Sequence, residues 1–193
     1  MLDWPRASAI GSRILGGAVA HRLLAASIAP RPGTRVLDLG CGAGAFRDAL
    51  PRDVFYVGVD VNPAYIVAAQ RRYGARGMFL VGDVTTLDFS GLHPFDAAVA
   101  SFLLHRFDDA AIEAVRQVIR RVVRPGGTLV TIDPDAGARG IAGWIVREDR
   151  GMHLRTEAGY RALLEPLGSV TTERRNAPLR IASAHVLARV TLR

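Results

Sequence analysis

The residues best suited to chemistry in this chain are carboxylates set beside glycines. Asp38 lies at the end of an apolar stretch and is followed by Gly40, Gly42 and Gly44 in LDLGCGAGAF, residues 37–46. Asp60 closes a second apolar stretch, VFYVGVD, and Asp83 follows a third in VGDV. Alternate glycines allow a tight turn and let a ligand approach the backbone. If they open a helix, its free N–H groups favour a negative group. An acid at the end of the second stretch lies where a ribose offers two hydroxyl donors. Asp83 is placed to accept from an adenine amino group. A carboxylate at Asp38, facing the glycine loop, repels a pyrophosphate and favours an ammonium or a sulfonium. Together these residues suit an adenosine that carries positive charge.

Gly40, Gly42 and Ala45 also fit the Gly-x-Gly-x-x-Ala spacing of a dinucleotide site. An NAD-dependent reductase is therefore a competing reading. Asp38 disfavours it, and so does the basic complement. All 25 basic residues are arginine. Without lysine there is no Schiff base, no Walker A phosphate lysine and no Tyr-x-x-x-Lys proton relay.

These side chains need elements to hold them. Short apolar runs alternate with helical patterns, the mark of a parallel sheet with crossover helices. Strands are expected at 36–40, 54–60, 78–82, 95–101 and 126–133. Asn62-Pro63 caps one helix and Asp108 another, whose stripe is Ile112, Val115, Ile119 and Val122 and whose end is Pro125-Gly126-Gly127. Thr156 caps a third, with Tyr160, Leu163, Leu164 and Leu167 on one side. Two tail strands, roughly 168–175 and 181–191, stand too close for a crossover and should pair antiparallel. In such sheets the ligand lies beyond the carboxyl ends of the strands.

The length of 193 residues suits one domain, 1–193, with an N-terminal amphipathic helix within residues 1–30. Its face is read from Ile10, Ile14, Ala18, Ala25 and Ile28. No apolar run reaches membrane length, so a cytoplasmic protein is expected. The single cysteine, Cys41, excludes an internal disulfide and a cysteine zinc site, and the five histidines are scattered, so no metal is expected. The net charge of +7 raises nucleic-acid binding. The arginines are spread along the chain, which speaks against a dedicated surface.

VLDLGCGAG, VGVDVNP, GDVTTL, FDAAVASFLLHRF and VVRPGGTLVTID stand in order at natural spacing. The chain thereby resembles the class I, S-adenosylmethionine (SAM)-dependent methyltransferases, and small bacterial small-molecule enzymes among them. The resemblance runs from about residue 30 to the C-terminus. It implies an α/β fold, doubly wound, with a mostly parallel seven-stranded sheet of order 3-2-1-4-5-7-6, strand seven antiparallel and helices on both faces. It implies SAM as cofactor and S-adenosylhomocysteine as product. Asp38 and the backbone of Gly40, Cys41, Gly42 and Gly44 would hold the methionine part. Asp60 would take the ribose, Val61 and Asn62 would line the adenosine, and Asp83 with the Val84 N–H would read the adenine. Ser101 would lie near the sulfonium.

Methyl transfer from a sulfonium needs positioning more than a base, because the donor is already activated. His105, in FLLHRF, is the candidate general base, similar to a Leu-His-His segment in small-molecule members, with Arg106 at the second position. Residues 134–155 form a candidate substrate lid, with Trp144, Arg147, Asp149, Arg150 and His153 as candidate contacts for a polar or anionic acceptor. The chain lacks the Asn/Asp-Pro-Pro-Tyr/Phe segment that aligns exocyclic amines of bases. The expected activity is methyl transfer to oxygen or nitrogen of a small-molecule acceptor. The alternatives are an RNA methyltransferase and a non-catalytic SAM-binding subunit. The sequence carries no reading of the oligomeric state.

Overall fold

Seven strands form one sheet in the order β3-β2-β1-β4-β5-β7-β6 in a computed structural model that describes residues 17–89, 91–92, 94–137, 153–176 and 184–193. β1 (Arg35–Leu39), β2 (Phe55–Asp60), β3 (Met78–Val81), β4 (Phe95–Ser101) and β5 (Val123–Pro134) run parallel. β7 (Ala184–Leu192) is antiparallel both to β5 and to β6 (Gly168–Asn176). The expected order and the antiparallel seventh strand are therefore present.

Helices cover both faces. Leu37, Leu39, Val57 and Val59 are fully buried against α3 (Asp109–Val122) and α4 (Glu157–Leu164). Val36, Tyr56, Val99 and Val130 face α1 (Gly17–Ile28) and α2 (Pro63–Tyr73). Each such buried side chain contributes about 1.5–3 kcal/mol. The strands read as unbroken apolar runs because both faces are covered.

The caps are as expected. Asn62 Oδ1 accepts from the Ala64 amide at 2.9 Å, Asp108 from Ala111 at 2.8 Å and Thr156 from Gly159 at 3.3 Å.

Four local expectations need correction. The stripe of α3 buries Ile112, Val115, Val118 and Ile119, with Val122 only half-buried. In α1 the inward face is Ala20, Leu24 and Ala25, and Ala18 is exposed; Ile10 and Ile14 lie outside the described residues. Pro125-Gly126-Gly127 does not end a helix. α3 stops at Val122, β5 begins at once, and the register slips between Phe95–Val123 and Ala97–Thr128, so these residues form a bulge inside the strand.

The glycines open no α-helix either. They lead into one 3-10 turn, Ala45–Ala49, because Pro51 holds Leu50 extended and stops further winding. Arg47 closes that turn. Its buried guanidinium donates to the carbonyls of Leu50, Pro51, Arg52 and Arg76.

Candidate cofactor and active site

The glycine loop leaves β1 as a chain of left-handed turns, with φ of 70° at Gly40, 53° at Gly42 and 76° at Gly44. The Cys41 amide donates to Val59 O at 2.9 Å, which lays the loop across the end of β2. Asp60 then grips it. Its Oδ2 accepts from the Gly42 amide at 2.8 Å and its Oδ1 from the Asn62 amide at 2.9 Å. Each carboxylate oxygen keeps a second lone pair for a hydroxyl donor.

The space around Asp60 suits a nucleoside. A Cβ added at Gly42 would meet nothing within 4 Å. Val61 is 70% exposed beside the carboxylate, an apolar surface with no protein cover. Acceptor, open backbone and apolar platform stand together, as a ribose and a flat base require.

Asp83 is held in its own turn. Its Oδ1 accepts from the Thr85 amide at 2.8 Å and hydroxyl at 2.7 Å, and these bonds keep its carboxyl below the usual carboxylate range. The Gly82 amide donates to Asp60 O at 3.0 Å and ties this turn to β2. The Val84 side chain is buried in the core, so only its backbone remains for recognition.

Asp38 is placed differently from the expectation. Its carboxylate is 1% exposed and lies below the loop, where Oδ2 takes the Tyr56 hydroxyl at 2.5 Å. Burial pushes its carboxyl up to about 7, against the pull of Tyr56 and with the help of the Asp60 charge. Burial and the same two acids push the Cys41 thiol up as well, so it is an inert filler of the loop. Nothing in the sequence singles out Tyr56.

The next strand end brings a second group. Gly40 sits against the turn after β4, where an added Cβ would lie 2.8 Å from Leu103 Cδ1. Ser101 Oγ is buried there without a hydrogen-bond partner among the described residues. Phe102 takes a φ of 53°, strained for a side-chain-bearing residue, and packs its ring edge-on against His185. His105 follows on a short 3-10 turn, Leu104–Arg106, and is 4% exposed. Asp133, at the end of β5, accepts through Oδ1 from the His105 amide at 3.2 Å and meets its Nδ1 at 2.7 Å.

Arg155 braces the same turn. Its guanidinium donates to the carbonyls of Leu104 (3.4 Å), Phe107 (3.1 Å) and His153 (2.9 Å), and to Asp109 Oδ1 at 2.6 Å. His153 joins the site through its backbone, whose amide donates to His105 O at 2.6 Å. Trp144, Arg147, Asp149 and Arg150 lie outside the described residues. Asp133 was legible in principle, because it ends its strand as Asp60 does. No group of side chains that could hold a metal occurs among the described residues. A surface cavity of about 390 Å³ lies at the opposite strand ends, lined in part by Arg31, Thr34, Asp96 and Arg124, and borders none of these residues.

Part of the chain matches a known family of domains. Residues 36–127 match the model described as a methyltransferase domain. The match covers a little under half of the chain. The domain is 31% identical over 156 residues to an O-methyltransferase of Pyrenophora dematioidea, covering 69% of this chain and 57% of that protein. It is 35% identical over 105 residues to a demethylmenaquinone methyltransferase of Corynebacterium kroppenstedtii, covering 54% and 43%. The chain thus spans about half the length of these curated relatives. The fold is that of the YcgJ protein of Bacillus subtilis (TM-score 0.76, 17% identity, 91% of this chain and 99% of that one). It is also that of the N-methyltransferase NodS of Bradyrhizobium japonicum in complex with S-adenosylhomocysteine (TM-score 0.71, 22% identity, 91% and 86%). No helix among the described residues is long and apolar enough to cross a membrane.

Proposed function

We propose that this chain is a SAM-dependent methyltransferase that transfers a methyl group to oxygen or nitrogen of a small-molecule acceptor. The observation that carries this reading is Asp60. Its carboxylate, fixed by the Gly42 and Asn62 amides, faces an open loop beside the exposed Val61. When bound, SAM supplies an activated methyl group on a sulfonium. Asp60 accepts the ribose hydroxyls, Val61 and Asn62 flank the adenosine, and Asp83 with the Val84 N–H reads the adenine. Gly40 to Gly44 cradle the methionine part over the buried Asp38, whose ionised form, present above about pH 7, favours a cation. Ser101 approaches the sulfonium, and His105 serves as base.

A relative named as an O-methyltransferase supports this reading. Residues 134–155 act as the substrate lid of a single domain. The two ends of this segment meet where Ala136 donates to Arg155 O at 3.0 Å, next to the His105 turn. Calorimetric titration with SAM and S-adenosylhomocysteine, with NADH as control, tests the reading. Saturable binding of the first two, lost in Asp60→Ala, is the expected result. Binding of NADH alone would overturn it.

A further inference from the structure

The His105 imidazole is held by one carboxylate oxygen from two directions. Asp133 Oδ1 meets both the backbone amide and Nδ1 of His105, so the same atom fixes the turn and the ring. Asp133 is 1% exposed, and its Oδ2 has no hydrogen-bond partner among the described residues. Asp133, at the end of β5, meets the ring, and His185 on β7 interacts with it electrostatically; Tyr160 on α4 and Asp135, just past β5, interact with each other beside Asp133, and Arg155 holds the carbonyls of the turn. None of these bonds to His105 Nε2 among the described residues. Tyr160 is engaged with Pro134 O at 3.1 Å, and Asp135 Oδ2 lies 2.7 Å from Arg174 Nε. A carboxylate at Nδ1 accepts only from the tautomer that carries its proton there, and that tautomer has its lone pair on Nε2.

We propose that Asp133 is a positioning residue that holds His105 with its proton on Nδ1, and that Nε2 then takes the proton of a hydroxyl acceptor, phenolic or enolic, as that acceptor is methylated. This rests on the methyltransferase reading above. The acceptor class follows from the base. A carboxylate acceptor is ionised at neutral pH and has no proton to lose. A neutral amine attacks first and sheds its proton afterwards. A hydroxyl gains from a base during attack. The acceptor oxygen forms the new C–O bond with its lone pair at the methyl carbon. The C–S bond breaks with its pair left on sulfur. The hydroxyl proton passes to His105 Nε2 and from the imidazolium to water.

Nitrogen-15 spectroscopy of histidine-labelled protein, without cofactor, tests the first half. The wild type should show His105 protonated at Nδ1 and bare at Nε2 near pH 8. In Asp133→Asn the side-chain amide can donate to Nδ1, and the proton should move to Nε2. A wild-type ring protonated at Nε2 would overturn the proposal whether or not the variant folds. Turnover of a simple phenol and a simple aliphatic amine with labelled SAM tests the second half. Methylation of the phenol is expected, with kcat/KM falling ~10²–10⁴-fold in Asp133→Asn. Methylation of the amine alone, or of neither by protein that binds SAM, would overturn the acceptor class. Failure to bind SAM at all would sink the methyltransferase reading and leave the tautomer result standing.

Discussion

Asp60 Oδ2 lies 2.8 Å from the Gly42 amide, and this bond couples the end of β2 to the middle of the glycine loop. The carboxylate therefore builds the loop before it meets a ligand. Asp60→Asn keeps one acceptor and Asp60→Ala keeps none. Hydrogen bonds to a charged group contribute about 1.5–3 kcal/mol each. SAM affinity should fall ~10-fold in the first variant and ~100-fold in the second. Calorimetry measures both, and equal losses would show that only the charge mattered.

Gly42 and Gly44 share a left-handed backbone but differ in surroundings. A Cβ at Gly42 meets open space, whereas one at Gly44 would lie 2.8 Å from the Phe79 ring. Gly42→Ala should lose about 1–2 kcal/mol of stability through its φ alone, yet abolish cofactor binding by filling the approach. Gly44→Ala should lose more stability, because the aromatic contact must shift as well. Thermal melts alongside SAM titrations separate the two.

The buried Asp38 makes stability depend on pH. Its folded-state value of about 7 lies above its ordinary one, so the native state holds a proton that the unfolded chain releases. Stability should therefore fall as pH rises from about 4 to about 7 and level off beyond, by an amount on the order of a few kcal/mol. Asp38→Asn should flatten that slope. Tyr56→Phe removes the partner of the charged form and should lower stability by about 1–3 kcal/mol, more at pH 8 than at pH 5. Denaturant melts across this range give the slope, and an Asp38→Asn protein that keeps it would refute the assignment.

Arg155 spans three carbonyls and Asp109 with one planar fork. Lysine cannot reproduce that geometry. Arg155→Lys should loosen the His105 turn and slow turnover, while SAM affinity stays within about two-fold because the fork touches no cofactor residue. A parallel loss of SAM binding would mean that the turn also shapes the cofactor site.

Arg47 is a structural counterpart. Its removal orphans four backbone carbonyls below the loop, and Arg47→Ala should lose on the order of 3 kcal/mol or more. A melt that shifts by only a degree or two would count against a role in holding the loop.

How much of this was legible follows from range. The strands, the caps at Asn62, Asp108 and Thr156, and the antiparallel tail pair follow from residue type and spacing, which act within a few positions along the chain. The Pro125-Gly126-Gly127 bulge did not, because whether a proline and two glycines stop a helix or bend a strand is decided by the neighbour they pair with, here β4. The short turn after Gly44 depended in the same way on Pro51, several residues on.

The sequence by itself determined that acids stand at the ends of β1, β2 and β5, and that one is followed by three alternate glycines. Only the tertiary structure decided what each acid does. Asp60 faces two amides and open space, Asp38 is turned under the loop toward Tyr56, and Asp133 is matched to His105 across the sheet. Strand alternation sends a side chain to one face or the other, and the partner met there, distant along the chain, sets its charge and its task.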